Sequence, residues 1–427
     1  VSDGLTSILV EVLTGALIDA RHNARLAGRS LGLVDEDRVV RDAARMFFDD
    51  PQYAADSALE LDLTKRAIDV VLGCGPLQVL LDDPDITDIH ARGSRPVWVK
   101  HRDGRREQRA PLVDSDEELI ELVRTLATRS RHGERRFDAS SAECNLCLPD
   151  GSRLFAVMDV SVEPSLVVRK HQFQLATVEQ LVSGGLMSMD VARFLRAAVL
   201  ARRNIVVVGG TGSGKTTLLR ALINEIPKHE RIITIEDAYE LGIDRFVDLH
   251  PDQEALQTRG ANVEGRGAID LASLTRMALR MDPDRVIVGE VRGAEAFPMV
   301  LAMSQGNNGS MCTLHADSTR SAFSKLAAYV SMADTGLPID IVNVLIANAV
   351  HVVVHVEICD GVRRVSSVRE VVDADGPRVV SNELFARVEE TALEGDDRTE
   401  ARAQFPMTTQ LAHMLARHGY ERALVWS

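Results

Sequence analysis

Aromatic residues make up only 4% of the 427 residues, so any core must be built mainly from Val, Leu, Ile, Ala and Met within a hydrophobic content of 45%. Cysteine is scarce and odd in number, five in all, which excludes a complete disulfide framework and fits a reducing compartment. Cys144 and Cys147 form a C-x-x-C, but no second C-x-x-C or His pair follows at finger spacing, so two ordinary thiols are expected rather than zinc ligands. Lysine supplies only six of the 49 basic residues, which we read as the codon bias of a GC-rich genome. Positive charge is not in excess: a formal charge of −14 argues against a chain that coats nucleic acid by bulk attraction. The basic run Arg129 to Arg136 is expected to be a solvated surface or a ligand-facing edge rather than a DNA site.

No uninterrupted apolar run of membrane-spanning length is present. The most apolar stretch, Ile341 to Ile358, is broken by Asn343, Asn348, His351 and His355. The first 25 residues carry Asp3 and Glu11 among apolar residues at helical spacing, and read as a helix rather than a secretory leader. These absences lead us to expect a cytoplasmic protein, with any membrane role coming only through partners.

The length calls for more than one core. Residues 1–57 read as a helical segment, with Asp49-Asp50-Pro51 as a breaker. Residues 58–172 read as a small α/β domain: Asp88 to His90 and Val97 to Lys100 are strand-like, Asp116 to Ser130 is an amphipathic helix, and Gly/Pro/Asp turns separate them. Residues 173–427 read as a larger α/β domain with a C-terminal extension.

The larger domain is organised around Asn204 to Leu219, NIVVVGGTGSGKTTLL. Ile205 to Val208 form a buried-type strand, a glycine-rich turn follows, and helical spacing resumes from Thr216. Gly209-x4-Gly214-Lys215-Thr216 is the spacing that gathers backbone N–H groups around a phosphate at a helix N-terminus. Gly209, Gly210, Thr211, Gly212, Ser213, Gly214, Lys215, Thr216 and Thr217 are the expected binding residues, with Lys215 on the β- and γ-phosphates and the Thr216 hydroxyl on Mg²⁺. Three further strand-like runs end in polar residues: Arg231 to Ile235 at Glu236-Asp237, Arg285 to Val288 at Gly289-Glu290, and Met311 to Leu314 at His315. Ligands of open parallel sheets gather outside the carboxyl ends of the strands, so Glu236, Glu290 and His315 are expected beside the loop. Triphosphate hydrolysis needs such groups, namely oxygen ligands for a metal, a carboxylate for water, and offsetting positive charge.

In order, GGTGSGKTT, ITIEDAYEL, LRMDPDRVIVGEVRGAEA and CTLHADS resemble the Walker A, Asp box, Walker B and His box of the ATPases that power type II and type IV secretion and type IV pili. The resemblance spans roughly residues 60 to 375. GCGPLQVLLDDPDITDI, LPDGSRL, VVRK, TRGANVEGRGAIDLASLTRMALRM and GEVRGAEA bring the chain nearest to the Flp pilus, or tight-adherence (Tad), assembly branch. The resemblance implies a RecA-like P-loop NTPase domain of α/β class, ATP and Mg²⁺, a homo-hexameric ring and an inner-membrane platform protein as partner, hence peripheral association at the inner face of the cell membrane, with no direct contact to nucleic acid. Residue by residue it implies Glu290 as the Walker B acid that activates water and Glu236 as the Asp-box organiser of metal or water, although these roles are interchangeable at this level. With Thr216 they would hold Mg²⁺, partly through water. His315 takes the His-box position, and Arg153 and Arg169 match basic positions that the family directs at phosphates. Cys147 stands where the family commonly has arginine, Asn307 where it has histidine, and Pro298 where an acidic residue is common. The other expectations kept open are a conjugative type IV secretion ATPase and a nucleotide-binding regulatory or localisation module with negligible turnover.

Overall fold

The computed structural model describes residues 2–27, 33–128, 136–170, 175–261, 265–304, 306–387 and 401–421. The chain divides into two compact units, Val1–Gln172 and Phe173–Ser427. Most of the basic run 129–136 and the polar start of the tail, 394–400, lie outside the described residues.

In the first unit, helices Ser2–Leu26, Leu33–Asp49 and Ser57–Val71 share one cluster. Leu9, Leu13 and Leu17 recur every four residues and so line one helical face, which meets Val40, Ala44, Leu63 and Ala67. The helix that begins at Ser57, capped by the Asp56 carboxylate on the backbone N–H groups of Ala58 and Leu59, packs with the two helices before it. The chain then forms β1 (Ile86–Arg92), β2 (Val97–His101), β3 (Arg106–Arg109), β4 (Glu143–Cys147), β5 (Arg153–Val157) and β6 (Ser165–Arg169). They pair antiparallel in the order β3-β2-β1-β6-β5-β4. Strand alternation buries Ile89, Val99, Leu154 and Val168 against Leu119, Val123 and Leu126 of helix Asp116–Thr128. The residues between them in sequence, Lys100, Asp88, Arg169, Arg153 and Cys147, fall in one cross-strand row on the opposite face.

In the second unit the strands are β7 (Ile205–Gly209), β8 (Ile232–Glu236), β9 (Gln253–Gln257), β10 (Arg285–Val291), β11 (Met311–Leu314), β12 (Val352–Cys359), β13 (Val362–Asp375), β14 (Arg378–Arg387) and β15 (Ala401–Ala403). Their order is β15-β14-β13-β12-β7-β11-β10-β8-β9, parallel from β12 to β9 and antiparallel from β12 to β15. β7 lies inside the parallel part and is buried along its whole length. Ile205 and Val207 join a cluster with helices Met189–Leu200 and Lys215–Ile223; Val206 and Val208 join another with helices Ala296–Ser304, Ser321–Ser331 and Ile339–Ala349. A continuous apolar strand is what a sheet covered on both faces requires.

The β-like runs Ala349 to Glu357 and Arg363 to Val372 on either side of the Asp360-Gly361 turn predict a strand pair, seen as β12 and β13, whereas β9, β14 and β15 are not predicted. β9 reads QEALQ and β14 RVVSNELFAR, and neither has clean alternation, because packing within the sheet rather than local pattern decides them. The C-terminal extension contains helix Thr409–Ala416, capped by Thr408, whose Leu411 and Leu415 join the core beside Phe194 and Tyr420. Among the described residues no helix is long and apolar enough to cross a membrane.

Candidate functional site

The loop after β7 is shaped by glycine where a side chain has no room. A Cβ on Gly209 would lie 2.1 Å from the Val356 carbonyl oxygen of β12 and 2.7 Å from Ser213 Oγ. Gly214, at φ +103°, caps helix Lys215–Ile223 without any side-chain hydrogen bond, so the N–H groups of its first turn are left to an anion. Lys215 Nζ donates to the Gly210 carbonyl at 2.8 Å and lies 3.4 Å from His315 Nδ1. Burial lowers the Lys215 pKa, with the Arg292 charge acting in the same direction and Glu290 opposing it. Ser213 and Lys215 are buried, Gly214 and Thr216 half-buried, and Gly210, Thr211, Gly212 and Thr217 open to solvent.

Register brings the expected acids and the histidine to this end of the sheet. Val288 pairs with Ile235 on one side and Cys312 on the other, and Leu314 pairs with Val208, so Glu236, Glu290 and His315 emerge beside the loop. His315 Nε2 stands 2.6 Å from Glu290 Oε1, but the angle misses hydrogen-bond alignment and this buried oxygen has no hydrogen bond. Burial lowers the His315 pKa and the neighbouring Lys215 charge lowers it further, which favours the neutral ring. Thr313 Oγ1 donates to the Gly289 carbonyl at 2.7 Å and steadies the turn into Glu290.

Glu236 has a different setting. It is 2% exposed, and its Oε2 accepts from the backbone N–H groups of Glu240 at 2.6 Å and Leu241 at 2.7 Å. Burial raises its pKa to about 7, against the pull of those two donors. Gly289 makes room for it: a Cβ there would come within 3.2 Å of Glu236 Cγ.

Two arginines at this end were not singled out in the sequence. Arg292 places Nε 2.9 Å and Nη2 2.5 Å from Glu290 Oε2, and Nη1 3.6 Å from Asp237 Oδ2. Arg292 follows Glu290 by two but stands just past the end of β10 at Val291, so strand alternation does not place it; its closeness in sequence to Glu290 is the signal that was available. Glu295 holds the intervening turn by accepting from the N–H groups of Arg292 and Gly293. Arg363, at the start of β13, donates from Nε to the Gly212 carbonyl at 2.8 Å. It lies far along the chain from the loop, and no motif marks it.

Arg153 and Arg169 belong to the first unit, where they face each other across β5 and β6. Arg169 Nε donates to Asp88 Oδ1 at 3.1 Å, and Cys147 pairs with Arg153 on the next strand. Cys144 and Cys147, three apart on β4, point to opposite faces, which denies them a shared ion. Pro298 occupies the first turn of helix Ala296–Ser304, where a missing N–H costs nothing. Asn307 lies just before β11, at the opposite end of the sheet from the loop, and its amide donates to the Pro283 carbonyl at 2.7 Å.

A phosphate-shaped helix start, a buried lysine, and a carboxylate with a spare oxygen beside a neutral imidazole suit a phosphorylated ligand and water attack upon it. Among the described residues no cluster of three or more His, Cys, Asp or Glu could cage a metal. The Thr216 and Glu290 oxygens suit Mg²⁺, which is held mostly by phosphate and water, better than an ion that needs an all-protein shell.

Residues 72–401 match the family model described as Type II/IV secretion system protein. The chain is 34% identical over 320 residues to the type IV secretion system protein VirB11 of Brucella suis biovar 1, covering 68% of this chain and 86% of that protein. It is 32% identical over 305 residues to the type IV secretion system protein PtlH of Bordetella pertussis, covering 65% and 87%. The X-ray structure of the Legionella pneumophila ATPase DotB has a TM-score of 0.50 at 17% identity, covering 69% of this chain and 79% of that one, a likeness of fold. With 330 consecutive positions under the family model and a third of residues shared along most of VirB11, this chain belongs to the type II/IV secretion system protein family.

Proposed function

We propose that the protein is an ATP-hydrolysing, Mg²⁺-dependent motor that works as a homo-hexamer and drives assembly of a Flp/Tad-type pilus, or a related secretion machine, through an inner-membrane platform protein. The observation that carries the reading is the convergence of Lys215, His315 and Glu290 on one phosphate loop. Lys215 and the first-turn N–H groups hold the phosphates. Glu290 takes the proton of the attacking water through its spare oxygen, and His315, kept neutral, orients that carboxylate. Glu236 organises the loop beneath it, and Arg292 offsets negative charge. Mg²⁺, when bound by Thr216 and the waters around Glu290 and Glu236, supplies further charge neutralisation. Arg153 and Arg169 carry over from the resemblance as phosphate-directed arginines, and their shared face meets the minimum that role demands.

A type IV secretion ATPase is the second reading, favoured by the VirB11 and PtlH relatives. Genes for pilins and a platform protein beside this one support the first; genes for a relaxase and coupling protein support the second. The test common to both is Mg²⁺-dependent ATP hydrolysis by the purified chain. It is expected to be measurable in wild type and lost in Lys215→Ala; equal rates in the two would refute the reading.

A further inference from the structure

We propose that Arg363 is a positioning residue of the phosphate loop, and that the β12–β13 hairpin is the brace through which it acts; this rests on the nucleotide-site reading above. The hairpin meets the loop at three points. The Val356 carbonyl backs Gly209 so closely that no side chain fits between them. Arg363 Nε donates to the Gly212 carbonyl at 2.8 Å. The stem of the same side chain lies over Gly214, with Cδ 3.3 Å from where a Cβ would stand.

The middle contact sets the direction of a binding group. In a planar trans peptide the carbonyl and the following N–H point opposite ways, so a Gly212 carbonyl held toward the hairpin turns the Ser213 N–H away from it. That N–H makes only a 3.4 Å contact with the Gly210 carbonyl, the same oxygen that receives Lys215 Nζ at 2.8 Å. The Ser213 N–H and the Lys215 ammonium therefore face one side, and Arg363 holds the loop from the other. The brace is itself fixed. β12 and β13 pair from Val352 with Glu370 to Cys359 with Val362, and the Val365 N–H donates to the Leu186 carbonyl at 2.7 Å. Arg387 Nη1 ties the turn end of the hairpin at Cys359 Sγ, 2.8 Å away and one pair from Arg363.

Glutamine provides the discriminating variant, because its Nε2 follows Cδ as Arg Nε does and donates without charge. The experiment is calorimetric titration of the full chain with Mg-ADP, and ATPase kinetics, for wild type, Arg363→Ala, Arg363→Gln and Lys215→Ala. Loss of the hydrogen bond in Arg363→Ala is expected to weaken ADP binding about tenfold. KM for ATP rises similarly and kcat stays within about twofold, because ground and transition states lose the same contact. Arg363→Gln restores most of the affinity, and the nucleotide-free variants unfold at the wild-type temperature. Wild-type affinity in Arg363→Ala overturns the proposal and leaves the nucleotide site standing. Equal loss in Ala and Gln that disappears at high salt also overturns it, since that is the signature of charge alone. A wild-type chain that binds no ADP, with Lys215→Ala indistinguishable from it, overturns both this proposal and the reading on which it rests.

Discussion

Replacing Glu236 with glutamine should change how the stability of the protein depends on pH. In the fold this carboxyl is 2% exposed, and burial lifts its pKa from 4.5 to about 7. A group whose folded pKa lies above its unfolded value binds its proton more tightly in the folded state. Its contribution is therefore complete below the unfolded value near 4.5 and is lost as pH rises toward about 7. At roughly 1.36 kcal/mol per pH unit, the gap between those values corresponds to about 3 kcal/mol. Glutamine cannot titrate, yet its amide oxygen can still accept from the N–H groups of Glu240 and Leu241, so the turn after β8 keeps its partners. The assay is urea unfolding of both proteins followed by circular dichroism from pH 5 to pH 8.5. Glu236→Gln should gain on wild type as pH rises, by about 2.5 kcal/mol across the range because part of the change is already complete by pH 5, with the change centred between pH 5 and 7. Parallel profiles would refute the reasoning and mean that Glu236 is ionised in the fold throughout.

Arg285 is fully buried at the other end of β10, with Nε and Nη2 on the two oxygens of Glu230 at 2.7 and 2.9 Å. Arg285→Met leaves that carboxylate only Arg202 Nη1, 3.2 Å away, and should cost about 3 kcal/mol in urea unfolding, much of which the double variant with Glu230→Met recovers. Arg292→Gln removes the cation from Glu290 Oε2 and should lower kcat by about 10²-fold with KM little changed, measured by steady-state ATP hydrolysis.

The local signals in this chain were strong where one strand-turn-helix carries its own instructions. The apolar run Ile205 to Val208 and the glycines after it can form little else, and β7 and its loop lie where the pattern puts them. Glu236, Glu290 and His315 were legible because polar residues that end apolar parallel strands share one end of the sheet. What was not legible depends on pairing between distant segments. Arg363 reaches the loop only because β13 folds back along β12, which itself pairs with β7, and no local sequence encodes that contact. The environments of the two acids were also hidden: a strand-end glutamate looks alike in sequence whether it is buried on two backbone donors, as Glu236 is, or clasped by an arginine, as Glu290 is. Asn307 illustrates the reverse case. It stands where the family commonly has histidine, yet it hydrogen-bonds Pro283 at the far end of the sheet from the loop.

The most direct test of the account is ATP hydrolysis across a concentration series of the purified protein, wild type beside Glu290→Gln, with molecular mass recorded in parallel. The account predicts Mg²⁺-dependent hydrolysis that rises as a six-subunit species forms and falls by orders of magnitude in the variant, while both proteins bind ATP. Hydrolysis by Glu290→Gln at the wild-type rate, or a wild-type hexamer that binds ATP and does not turn it over, would contradict it.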